Sequence, residues 1–194
     1  MTKSRYVAGF MARPTQGVSM RLVLSSVMLA ASTFLTPVFG ATVTIPMSDL
    51  PLKNGAVGAV YKMADHPNSV FVFESYKLSC VYCNQNARNV DKLATEYAAN
   101  TRVQVLDLGL DSADSDFAEW IRIHASNHPV VQDVGFKIFK ALRSSNNIPQ
   151  VFIVNCKGEL AGTALGEWDA GAAASVRGYI NTALKTTCPT IAQD

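Results

Sequence analysis

Residues 70–83 read Val70-Phe71-Val72-Phe73-Glu74-Ser75-Tyr76-Lys77-Leu78-Ser79-Cys80-Val81-Tyr82-Cys83. The first four are apolar, β-branched or aromatic without alternation, and Pro67-Asn68 stands just before them. Such a run describes a strand buried on both faces. Past the cysteines the period changes, and Ala87, Val90, Leu93, Ala94 and Tyr97 form one apolar stripe of a helix over residues 80–99. Two cysteines three apart on its first turn are neighbours in space and can close or open a small disulfide. Cys80 meets the unpaired N–H groups and positive dipole end of the helix, which favour a thiolate. Cys80 is therefore the candidate nucleophile. Cys83, one turn inside, is the candidate resolving thiol, acting through a mixed disulfide. A purely structural bridge is the competing reading.

Working outward, residues 103–108 read as a second buried strand, and residues 151–154 and 160–165 as strands joined by a turn at 155–159. Residues 114–125 and 129–142 read as two helices, the second with Pro129 in its first turn. An alanine-rich helix over 169–184 closes the chain. Residues 42–45 are β-prone, and residues 57–64 read as a short helix. Strand, helix, strand, helices, hairpin and helix make an α/β pattern, a mixed sheet covered by helices.

Two further features bear on the chemistry. Glu74 lies six residues before Cys80, at the base of the helix. It is either a desolvated carboxyl that exchanges a proton as Cys83 reacts, or a solvated strand-end acid. Ile148-Pro149 precedes a strand, where proline is structurally permitted. A cis bond there would present the Ile148 backbone to a substrate strand. Trp120 and Trp168 are expected at core edges, and His124 and His128 are expected to face solvent. Asp107, Asp111, Asp114 and Asp116 read as acids favoured near a helix N-terminus, since their spacing lacks the glycine and distal glutamate of a calcium loop.

Composition places these elements. The chain has 194 residues, 17 Lys+Arg against 15 Asp+Glu, and 48% hydrophobic residues, which excludes both disorder and a multi-span membrane protein. The +2 charge is segregated: Lys3, Arg5, Arg13 and Arg21 precede the first acid, Asp49, leaving 13 cations against 15 acids beyond Arg21. That part lacks the basic surplus of a nucleic-acid binder, so no nucleic-acid partner is expected. Residues 22–40 carry no charge and end in Val38-Phe39-Gly40, matching a secretory signal cleaved before Ala41. An uncleaved anchor is the alternative. Residues 1–40 are thus read as leader and signal, and residues 41–194 as one domain exported to the periplasm. All four cysteines fall in that domain, in an oxidising compartment. Cys156 and Cys188 lack the close spacing of a second zinc-ligand pair, so no metal is expected.

In its order of elements the chain resembles the thioredoxin superfamily: the buried strand with Glu74, Cys80–Cys83 opening a helix, Ile148-Pro149 before a hairpin, and a final helix. The likeness covers about residues 57–185. It implies a cis proline facing the disulfide, an acid at Glu74 that assists proton transfer, and Val81 and Tyr82 beside the substrate. The stretch 114–142 resembles the helical insertion of periplasmic Dsb oxidoreductases, between the motif helix and the proline strand. Ser79 stands where thioredoxins carry Trp, Gly-Pro is absent between the cysteines, and Tyr82 is closer to the Dsb isomerases. In this fold the hairpin turn and the end of the last helix share the pole opposite the active site, which implies a structural disulfide Cys156–Cys188. The function implied is a thiol-disulfide oxidoreductase needing no cofactor and monomeric. Its implied partners are cysteine-containing envelope proteins, a membrane redox partner that recycles the motif, and, by layout, conjugation or type IV secretion components. The rival is a non-enzymatic adaptor of such a complex with a structural Cys80–Cys83 bridge.

Overall fold

The computed structural model describes residues 42–189, so the leader and signal reading lies outside the described residues. The elements run β1 (Asp49–Pro51), β2 (Val60–Lys62), β3 (Val70–Tyr76), α1 (Val81–Tyr97), β4 (Val103–Gly109), α2 (Asp114–His124), β5 (Val130–Gln132), α3 (Lys137–Leu142), β6 (Gln150–Val154), β7 (Leu160–Leu165) and α4 (Ala170–Ala183). Five strands form one sheet in the order β5-β4-β3-β6-β7. β3 is its centre, parallel to β4 and antiparallel to β6.

The unalternating apolar run of β3 is explained by cover on both faces. Phe71 and Phe73 join a core with Met63, Leu106, Leu108 and Phe152. Val70 and Val72 face the other way, into a core with Val90 and Leu93 of α1 and Val176 and Ile180 of α4. Strand periodicity then places Glu74 and Tyr76 on that second face as well. Tyr76 packs there with Cys83, Ala87, Phe117 and Trp120.

Two expected helices are not formed as read. Within residues 57–64, Gly58 takes a positive φ of 79°, and Val60-Tyr61-Lys62 pairs with β1 in a two-stranded sheet. The β-branched and aromatic residues follow the pairing offered by β1, and helix survives only as a 3₁₀ turn at Met63–Asp65. Residues 129–142 divide likewise. Val130 and Val131 extend the sheet beside Asp107 and Leu108. Gly135 (φ 72°) and Phe136 (φ 60°) are both left-handed, which breaks any continuous helix. Helix restarts at Lys137, where the buried Asp133 carboxylate accepts the N–H groups of Ile138 and Phe139 at 3.1 and 2.8 Å.

At the far end from the motif, Cys156 in the β6–β7 turn is bonded to Cys188 beyond α4, with Cα atoms 5.6 Å apart. The bond ties the C-terminal helix to the sheet across 32 residues of sequence. By loop-closure entropy it contributes about 3–4 kcal/mol. The double variant Cys156→Ser/Cys188→Ser is expected to unfold in urea with that loss. An unchanged midpoint would contradict the assignment.

Candidate active site

Cys80 is the N-cap of α1: its sulfur accepts the Cys83 N–H at 3.1 Å. A sulfur at this position already receives a helix N–H, the arrangement that stabilises a thiolate once the disulfide opens. Cys80 and Cys83 are disulfide-bonded, with Cα atoms 5.2 Å apart. The two sulfurs differ in access. Cys83 is 0% exposed, whereas Cys80 is partly exposed between Val81 and Tyr82, which are 67% and 56% exposed. One end of the bond therefore reaches the surface and the other faces the core.

The approach to Cys80 is held by short polar contacts. Asn84 donates to the carbonyls of Leu78 and Cys80 at 2.9 and 2.8 Å, and the Leu78 N–H donates to the Asp111 carboxylate at 2.8 Å. His124 lies 2.9 Å from the Asn84 side-chain oxygen and against the Trp120 ring. Burial lowers the His124 pKa below its ordinary value.

Facing the motif, the Ile148–Pro149 bond is cis, and the Ile148 carbonyl oxygen lies 3.9 Å from Cys80 Sγ. This loop is set by Gln150, which is fully buried. Its amide nitrogen donates to the carbonyls of Ser145 and Asn147 at 3.0 and 2.6 Å, and its amide oxygen accepts from Ser144. Ser75 of β3 meets the Gln150 backbone, donating to its carbonyl at 3.0 Å and accepting its N–H at 2.9 Å. Neither residue stood out in the sequence. A glutamine following proline inside an apolar strand was the signal available.

Beneath the motif lies a buried acid cluster. Glu74 is 1% exposed, inside β3 rather than at its end. It pairs in register with Asp107 of β4, which is also fully buried. Parallel neighbours in register share a face, so both carboxyls lie under α1. Burial first, and the Asp107 carboxylate second, hold the Glu74 pKa well above the usual carboxylate range. Asn86, one turn past Cys83, opposes this with its amide. That amide is nonetheless engaged, donating to Gly166 O at 3.0 Å and accepting the Trp168 N–H at 2.9 Å. Neither Glu74 oxygen has a partner within hydrogen-bond distance among the described residues.

Asp107 is thus no helix-terminal acid. Its Oδ2 accepts from Trp120 Nε1 at 2.9 Å and Ser126 Oγ at 3.1 Å, and its Oδ1 lies 3.1 Å from His128 Nε2. His128, expected in solvent, is buried between Asp107 and Asp91, whose Oδ1 is 3.2 Å from His128 Nδ1. Its burial follows from the pairing of β5, because Pro129 accepts the Asp107 N–H at 3.0 Å and draws its neighbour inward. Burial pushes the His128 pKa down, and the two carboxylates push it up by more. Trp120 is wholly buried rather than at a core edge, stacked on Tyr76. Asp114 and Asp116 do occupy the first turn of α2. Among the described residues no cluster of His, Cys, Asp and Glu could hold a metal.

A central strand flanked by one parallel and one antiparallel neighbour, with a cysteine pair heading the next helix and a proline loop opposite, defines a thioredoxin-superfamily protein. The chain belongs to the AhpC/TSA family, whose match runs over residues 43–162. No curated protein matches it in sequence. Among solved structures it is similar to a Chlorobium tepidum chain assigned as the thiol:disulfide interchange protein DsbE, with 21% identity, TM-score 0.60, and 74% of this chain and 96% of that one covered. A thiol-disulfide isomerase from Corynebacterium glutamicum gives 15%, 0.59, 76% and 99%. A secreted Mycobacterium tuberculosis disulfide oxidoreductase homologous to E. coli DsbE gives 15%, 0.53, 70% and 96%. At these identities the likeness is one of fold.

The raised Glu74 pKa carries a stability consequence. The unfolded chain ionises this carboxyl near its ordinary value while burial in the folded chain holds its pKa well above that, so its contribution is fully present below the unfolded value and is lost as pH rises toward the folded one. Glu74→Gln in the oxidised protein is therefore expected to match wild type near pH 4 and to exceed it increasingly above pH 5. Urea denaturation across pH 4–8 measures this, and a difference independent of pH would show that Glu74 is not held neutral.

Proposed function

We propose that this protein is an exported thiol-disulfide oxidoreductase acting on cysteines of envelope proteins in the periplasm. The observation that carries the reading is the asymmetric Cys80–Cys83 pair: a partly exposed sulfur at a helix N-terminus beside the Ile148 carbonyl, and a fully buried sulfur one turn further on. Export is supported by the uncharged segment 22–40 and by cysteines paired in both bonds. The secreted mycobacterial neighbour is compatible with it.

The chemistry follows from the geometry. In the reduced protein the Cys80 thiolate attacks one sulfur of a substrate disulfide. The substrate S–S bond breaks, a mixed disulfide forms, and one substrate sulfur leaves as thiolate. Cys83 then loses its proton and attacks Cys80 Sγ, which reforms the internal disulfide and expels the second substrate thiolate. Two electrons pass to the substrate, whose sulfurs take up two protons. Glu74 in its ionised form takes the Cys83 proton, and in the reverse direction its protonated form returns it, inside a site that water does not reach. Reversal of the same steps oxidises a substrate dithiol. Ile148, Pro149, Val81 and Tyr82 form the surface on which the substrate segment lies, and a membrane redox partner restores the pair.

Cys80→Ser is expected to abolish reduction of a disulfide substrate, and Cys83→Ser to accumulate mixed disulfides detectable on non-reducing gels. The potential of the pair is expected between about −270 and −120 mV, where catalytic pairs lie. A value below about −300 mV, with no trapped partner, would instead support the structural-bridge adaptor.

A further inference from the structure

Next to Cys80 the surface carries a groove of about 250 Å³. One wall is Lys77, whose carbonyl accepts the Cys80 N–H at 3.0 Å. The other wall is the α3 segment, with Phe136, Phe139, Lys140 and Arg143, and the groove reaches Ile148, the residue whose carbonyl lies against Cys80 Sγ. A chain bonded to Cys80 through a cysteine therefore has its flanking residues at the mouth of this groove.

The groove is strongly basic in a body that is otherwise slightly acidic. From Val134 to Ile148 the chain carries Lys137, Lys140 and Arg143 and no acid, while residues beyond Arg21 have more acids than cations. The positive charges are also arranged. Lys77 Nζ and Lys140 Nζ, from opposite walls, lie 5.7 and 5.5 Å from the Phe136 ring centroid, and the Arg143 guanidinium lies 5.8 Å from that of Phe139. Phe136 adopts φ 60°, a left-handed conformation uncommon for an aromatic residue, and its ring is within reach of both ammonium groups.

None of these three cations has a carboxylate within ion-pair distance among the described residues. The two acids nearby feel Lys77 and Lys140 only at a distance, and their oxygens accept backbone N–H groups. Asp111 accepts the Leu78 N–H, and Asp133 is buried on the first N–H groups of α3. Three cations thus converge on an aromatic floor beside the reacting sulfur with no carboxylate paired to any of them among the described residues, and Lys140 Nζ donates only to the Gly135 carbonyl, at 3.0 Å.

Building on the oxidoreductase reading above, we infer that this groove selects substrate proteins with Asp or Glu beside the reacting cysteine. A carboxylate entering there meets Lys77, Lys140 and Arg143 while its methylenes lie on Phe136. Basic flanking residues are repelled from the same place.

The test uses two disulfide peptides, identical except for Glu or Lys flanking the cysteine, and the reduced mature protein in stopped flow. The Glu peptide is expected to be reduced roughly tenfold faster at low salt, the scale of a few partly exposed ion pairs, and the ratio is expected to shrink as salt screens them. Lys77→Glu/Lys140→Glu/Arg143→Glu is expected to reverse the order. Lys140→Gln alone is expected to lower the ratio part of the way, which gives a readout if the triple variant does not fold. Equal rates for the two wild-type peptides, or a ratio that none of the variants alters, would overturn the inference while leaving the oxidoreductase reading intact. Fast reaction with glutathione disulfide but no difference between the peptides would overturn the protein-substrate assignment in favour of a small anionic thiol. Reduction of neither peptide, nor of glutathione disulfide, would instead overturn the oxidoreductase reading itself.

Discussion

The burial of β3 on both faces is the constraint on which the rest of the molecule depends. Because Val70, Phe71, Val72 and Phe73 all need cover, the strand must lie at the centre of the sheet, with helices on one side and β1, β2 and α3 near the other. A central strand ends at the edge of the protein and its chain must turn back over the sheet. The turn delivers Cys80 to the surface at a helix N-terminus and Cys83 into the interior. The inequality of the two sulfurs is a consequence of that path.

The same burial has a cost. Glu74 and Asp107 are held side by side on adjacent strands under α1, where solvent cannot support two negative charges. The arrangement is tolerable because the two acids are treated differently. Asp107 has Trp120, Ser126 and His128 around it, while Glu74 has no comparable donor among the described residues and its pKa is raised by burial. Two acids adjacent in register thus occupy different environments on one face of the sheet.

The opposite wall of the site is built by different means. Segment 134–148 holds only the short α3 and no strand, and its shape is set by Asp133 at the start of α3 and by Gln150 below the proline loop. Both are buried polar groups with their hydrogen bonds met inside the protein, which gives a loop the definition normally supplied by a strand or helix. The Ile148 carbonyl and the basic groove are thus positioned by buried side chains at the two ends of the segment, with Ser75 of β3 holding the Gln150 backbone.

Much of this was legible in one dimension. Hydrophobic patterning marks β3, β4, β6, α1 and α4 because each has a buried face, and the Cys80–Cys83 spacing marks the motif because its chemistry is local to one helical turn. The hairpin at Val60–Lys62 and the strand at Val130–Gln132 were legible only as helices. Their β-branched residues suit either period in so short a run, and the partner strand decided between them. The burial of His128 and Asp107, the role of Gln150 and the convergence of Lys77 with Lys140 and Arg143 belong to tertiary structure alone. Each joins residues tens of positions apart, and burial, unlike periodicity, is a property of what the rest of the chain places on top.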